Sequence, residues 1–193
     1  MPARPAAAEL LAALAPVLEA WGHRWYVFGA QAVVAYGFPR LTADVDVTAE
    51  LAPDDPHGFV NAMRAAGFAL RVRDVDDFVA KTRVLPFVHG PTGMPLDVVL
   101  AASGLEREFI DRAILLDVGG AVVPVIAVED LLVTKLLAGR PKDLDDVRGI
   151  VREQGDRLDL PGVRRLLREL EVALSQSDLV ASLEALLPRA RRR

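Results

Sequence analysis

An α+β chain, strand-rich up to about residue 126 and helical beyond it, is the fold class this sequence predicts. Three observations carry the prediction. Short β-branched and aromatic runs broken by Gly and Pro fill residues 24–126. From Val128 onward the apolar residues recur at helical spacing. At 193 residues and 52% hydrophobic the chain can bury a full core, yet no apolar run reaches the ~18 residues of a membrane span.

Taken in order, residues 6–21 are Ala- and Leu-rich but carry Glu9 and Glu19, which breaks a signal-peptide core and predicts an amphipathic helix. Arg24-Trp25-Tyr26-Val27-Phe28 reads as a strand, Gly29 as a tight corner, and residues 30–37 as a helix. A strand at 43–48, a helix at 56–66 opened by Pro56 and a strand at 68–72 follow, then a short polar segment at 73–80. Strands at 83–89 and 95–100 flank the turn signal Gly90-Pro91-Thr92-Gly93. A helix at 105–112 leads into a hairpin, 114–118 and 121–126, turned by Gly119-Gly120. Helices are expected at 128–138, 142–153, 161–173, with Asp159 ahead of Pro161, and 177–187. Gly139-Arg140-Pro141 is the soft boundary, giving an α+β part at 1–138 and a helical part at 139–193 expected to pack on it.

Composition narrows the chemistry. With no cysteine there is no disulfide, thiol nucleophile or zinc-thiolate site, and a cytoplasmic location is expected. His23, His57 and His89 lack metal-ligand spacing. Residues 1–138 hold 11 basic and 17 acidic residues, while 139–193 hold 12 and 10, ending in Arg189-Ala190-Arg191-Arg192-Arg193. Such a tail is either a solvated end or a contact to RNA phosphates.

The chemical signal is concentrated around Gly29 and Asp44-Val45-Asp46. The first N–H groups after a strand-to-helix corner have no partner of their own, so Gly29–Gln31 is a ready phosphate site or a hydrated turn. In a strand at 43–48, Asp44 and Asp46 share one face while Val45 and Val47 share the other. Two carboxylates so placed repel each other unless a cation sits between them, and Mg²⁺ takes hard oxygen ligands of this kind. The alternative is a solvated strand edge. Asp97, in the apolar run Met94–Leu100, is costly to bury unless it is a metal ligand or is hydrogen-bonded to something specific. Lys135 sits on a helix beside Leu131, Leu132, Leu136 and Leu137, and either snorkels to solvent or points into a cleft.

Residues 26–48, Tyr-Val-Phe-Gly-Ala-Gln-Ala-Val-Val-Ala-Tyr-Gly-Phe-Pro-Arg-Leu-Thr-Ala-Asp-Val-Asp-Val-Thr, resemble the signature of the DNA polymerase β-like nucleotidyltransferase superfamily, and within it the abortive-infection (AbiEii-like) toxin group. Asp97 and the run Val128–Asp146 belong to the same likeness. Ala30 stands where the superfamily commonly has Gly or Ser, which keeps a backbone N–H and removes a hydroxyl.

The resemblance implies a nucleotidyltransferase fold, a mixed sheet flanked by helices with a helical part after it. It implies transfer of a nucleoside monophosphate from an NTP, such as ATP, to an acceptor hydroxyl. Asp44, Asp46 and Asp97 would bind Mg²⁺ or Mn²⁺; Gly29, Ala30, Arg40 and Thr42 would hold phosphate. Lys135 would be a phosphate contact and Asp143 an active-site carboxylate, with Asp146 a weaker candidate. A tRNA 3′ end is the first expected acceptor and a protein hydroxyl the second, in a toxin–antitoxin or abortive-infection setting with a cognate antitoxin. The contrasting reading is an inactive nucleotide-binding or scaffold protein on the same fold.

Overall fold

The computed structural model describes residues 4–22, 24–51, 56–102 and 104–188, so His23 and the Arg189–Arg193 tail lie outside the described residues. The chain forms two compact units, Met1–Ala35 with Arg40–Ile126, and Tyr36–Pro39 with Ala127–Arg193. The division falls at Ile126–Ala127, where the last strand gives way to helix.

The first unit is built on a seven-stranded sheet. In chain order it contains α1 (Ala6–Ala20), β1 (Arg24–Phe28), α2 (Gly29–Ala35), β2 (Val45–Glu50), α3 (Pro56–Ala65), β3 (Phe68–Leu70), α4 (Val75–Thr82), β4 (Val84–His89), β5 (Pro95–Leu100), α5 (Gly104–Arg112), β6 (Ile114–Val118) and β7 (Ala121–Val125). The strands lie in the order β3-β4-β5-β2-β1-β7-β6. β2–β5 and β1–β7 pair in parallel and the other neighbours antiparallel, so the sheet is mixed.

Register explains which face is core. Val27, Val47, Val98 and Leu85 form one row across β1, β2, β5 and β4, all fully or nearly fully buried. On the same face Phe87 meets Phe59 of α3 and Phe68 of β3 edge-on, at 6.5 Å in each case. Residues one position along each strand point to the opposite face, and there the row reads Phe28, Asp46, Asp97, Pro86.

Two departures from the sequence reading have local causes. β2 starts at Val45, not 43, because Thr42 Oγ1 donates to the Asp44 carboxylate at 2.8 Å and holds a bend ahead of the strand. The expected polar segment at 73–80 is instead α4, capped by Asp74, whose side chain accepts from Asp77 N–H at 3.0 Å, with a Lys81–Asp77 pair one turn on. It buries no residue fully, so its sequence carries caps and charges rather than an apolar stripe.

The second unit holds Tyr36–Pro39 and the helices α6 (Val128–Ala138), α7 (Pro141–Gln154), α8 (Leu160–Leu174) and α9 (Leu179–Leu186), with a 3₁₀ turn at Gly155–Arg157. Asp159 caps α8 by accepting from Gly162 N–H at 3.0 Å. The short segment is fastened to α7 in three ways. Gln154 Nε2 donates to Tyr36 O at 2.7 Å, the Arg152 guanidinium lies 5.8 Å from the Phe38 ring centre, and that ring occupies the space a side chain at Gly149 would need. Among the described residues no helix is long and apolar enough to cross a membrane.

Candidate active site

Gly29 is the residue between β1 and the body of α2, and its φ of +64° belongs to the left-handed region open to glycine. A methyl group there would overlap the Asp46 carboxylate, lying 3.0 Å from its Cγ. The backbone is therefore held against a carboxylate, an approach that only glycine allows. Ala30 is buried in the first turn of α2, and Gln31, also buried, reaches the Asp44 carbonyl at 3.4 Å.

Asp46 and Asp97 are register partners on adjacent parallel strands, which puts their α-carbons about 4.8 Å apart and their side chains on one face. Both are half-buried. Asp44 lies one residue before β2, exposed, with its carboxylate taken by the Thr42 hydroxyl. Among the described residues no group of three or more His, Asp or Glu side chains gathers as a metal cage; of the expected Asp44, Asp46 and Asp97, the last two stand in register and Asp44 lies two residues before Asp46.

Asp97 has a specific partner, Arg71. Just beyond β3, its backbone N–H donates to Pro86 O at 2.9 Å. Its Nε donates to Phe87 O, also at 2.9 Å, and Nη2 forms an ion pair with Asp97 Oδ1. Arg71 was not singled out from the sequence. Its link to Asp97, 26 residues away, exists only because β4 lies between them in the sheet, which no local pattern reveals.

Two adjacent carboxylates, with a glycine backbone pressed against one of them, form a donor set that fits a hard divalent cation. Mg²⁺ is typically held by one or two protein carboxylates, its remaining ligands being water and phosphate. Arg40 and Thr42 lie on the same stretch between Gly29 and Asp46, with Arg40 half-buried.

Lys135 and Asp143 lie in the second unit and are each other's partners. Lys135 Nζ is 3.1 Å from Asp143 Oδ1 and 2.7 Å from Asp146 Oδ2, with the three residues 6%, 0% and 2% exposed. Arg140 adds a two-pronged pair to Asp143 through Nε and Nη2. Burial pushes the Asp143 carboxyl up, but the hydrogen bonds and charges of Arg140 and Lys135 outweigh it and hold the group below the usual carboxylate range. Lys135 therefore does not snorkel to solvent. Its helix is buried on several sides, with Asp130, Leu131, Leu132, Val133 and Leu136 also enclosed, so it has no solvent face at that position.

The model of a family described as a nucleotidyltransferase of unknown function (DUF6036) matches residues 59–184. The match begins after Gly29, Asp44 and Asp46 and contains Arg71, Asp97, Lys135 and Asp143. No curated protein sequence matches the chain. Among solved structures, the crystal structure of ANT(2'')-Ia with adenylyl-2''-tobramycin is similar at a TM-score of 0.58 and 14% identity, covering 86% of this chain and 99% of that one. The solution structure of that antibiotic-resistance factor gives 0.57 and 13%, over 87% and 94%. An antigenic nucleotidyltransferase-like protein from Paracoccidioides brasiliensis gives 0.51 and 20%, over 92% and 91%. At these identities the likeness is one of fold.

Proposed function

The chain belongs to the family of nucleotidyltransferases of unknown function (DUF6036), and from that premise we propose that it moves a nucleoside monophosphate from an NTP to an acceptor hydroxyl, releasing pyrophosphate, at the corner formed by Gly29, Asp46 and Asp97. The observation that carries this reading is the register: Asp46 stands beside Asp97, with the Gly29 backbone against the Asp46 carboxylate. Asp46 and Asp97 would hold Mg²⁺ or Mn²⁺, with Asp44 as a further carboxylate. When bound, the ion supplies positive charge against the triphosphate. Gly29 and Ala30 offer backbone N–H groups to phosphate, Arg40 offers a cation, and the Thr42 hydroxyl orients Asp44. Asp97 is the base that takes the proton of the attacking hydroxyl. The proposed role of the Lys135–Asp143–Asp146 cluster is to hold α6 and α7 together.

The AbiEii-like resemblance makes a tRNA 3′ end the first proposed acceptor and a protein hydroxyl the second, with the enzyme acting as the toxin of a toxin–antitoxin pair in the cytoplasm. The test is incubation of the full chain with α-labelled NTPs and Mg²⁺, separately with total RNA, with cell lysate and with tobramycin, the molecule found adenylylated on the structural neighbour. Label on RNA is the expected result. Label on protein or tobramycin moves the acceptor and keeps the reaction. Absence of transfer to every acceptor contradicts the reading and leaves the inactive binder.

A further inference from the structure

We infer that Arg71 is the resident counter-ion of the carboxylate pair, and that a divalent cation must displace it from Asp97 in order to bind; the inference rests on the metal-site reading above. Two observations carry it. The guanidinium is aimed rather than free, since Phe87 O fixes Nε at 2.9 Å and the backbone of Arg71 is tied to Pro86, both on the strand that pairs with Asp97's own. The oxygen it takes belongs to the one carboxylate that stands in register with Asp46. A fold-stabilising reason is weak by comparison, because the Arg71 and Asp97 side chains are 37% and 35% exposed, and pairs so exposed contribute little.

Electrostatics explains why a cation belongs there. Asp46 and Asp97, about 4.8 Å apart at their α-carbons, repel each other, and Arg71 relieves that repulsion in the metal-free protein. A divalent ion satisfies the same pair with twice the charge, but it is repelled by a guanidinium that stays anchored to Phe87 O. Arg71 thus sets how tightly the metal binds and offsets part of the pair's negative charge when no cation is bound.

The experiment is a calorimetric titration of the full chain with Mn²⁺ alone, for the wild type, Arg71→Gln, Arg71→Lys and Asp46→Asn. Arg71→Gln should bind Mn²⁺ about tenfold more tightly than the wild type, from loss of one positive charge a few ångströms from a divalent ion, and the gap should shrink as salt is raised. Arg71→Lys, which keeps the charge and loses the fork, should fall between the two, and Asp46→Asn should bind far more weakly than any of them. Equal or weaker binding by Arg71→Gln, with wild-type binding intact and abolished by Asp46→Asn, overturns the counter-ion role and leaves the metal site standing. Absence of Mn²⁺ binding in both the wild type and Arg71→Gln overturns the metal site and this inference together.

Discussion

The two units each contain a cluster of aspartates with a basic partner, and the clusters are built oppositely. In the sheet unit, Asp46 and Asp97 are half-buried and lie side by side, and Arg71 pairs with Asp97. In the helical unit, Asp143 and Asp146 are sealed from solvent around Lys135, and Arg140 also pairs with Asp143. The difference is one of exposure: the first pair is open to solvent and the second is enclosed by the fold. Burial makes the second cluster expensive to break, and exposure makes the first cheap to alter.

That contrast can be broken most directly with Lys135→Met. Removing the central cation takes one partner from each of two buried carboxylates, Asp143 keeping Arg140, and the expected loss is about 3–5 kcal/mol in urea unfolding; a loss under about 1 kcal/mol would mean the cluster is hydrated and the contrast is wrong. Gly29→Ala should come next. Left-handed backbone with a side chain, together with the overlap on Asp46, should cost about 1–3 kcal/mol by the same measurement, and it should disturb activity as well, since Asp46 must move.

The pH dependence sharpens the comparison at a smaller scale. Asp143 is held below its ordinary pKa in the folded protein, so the unfolded chain takes up its proton first as acid is added. Its contribution is present above an unfolded value of about 4 and is lost as pH falls through the lower folded value. The urea midpoint of the wild type should drop below about pH 4 more steeply than that of Asp143→Asn; identical slopes would remove the cluster from the acid response. At the other extreme, burial and then the charges of Glu129 and Asp130 push the Tyr36 phenol up. Stability from that group is complete below about pH 10 and falls as pH rises beyond it, a loss that Tyr36→Phe should abolish. The smallest effect belongs to the exposed network at the other end of β1, where Arg24 pairs with Glu50 and Asp111. Arg24→Ala should not be separable from the wild type in a denaturant titration.

How much of this was legible in the sequence follows the range of the interactions. Gly29 and the alternation around Asp46 are local patterns, and the strand, the corner and the helix after it stand within a residue or two of where the pattern puts them. Asp97 was legible as a costly residue in need of a partner. The partner was not, because Arg71 reaches it across β4, and neighbours in a sheet are fixed by register and not by spacing along the chain. The partners of Lys135 were hidden for a related reason: Asp146, 11 residues on, reaches it only once α7 turns back. The helix α4 was missed because a helix held by Asp74 and the Lys81–Asp77 pair has little apolar signature.

Pyrophosphate release tests most directly the proposed role of the Asp46–Asp97 pair in nucleotidyl transfer. The wild type and Asp46→Asn are compared with NTP, Mg²⁺ and acceptor, their folding verified by matching urea midpoints. Asp46→Asn keeps shape and removes one charge, and release should fall by at least about a hundredfold with the midpoint essentially unchanged. Release within about tenfold of the wild type, from an equally stable protein, would contradict the assignment of the site.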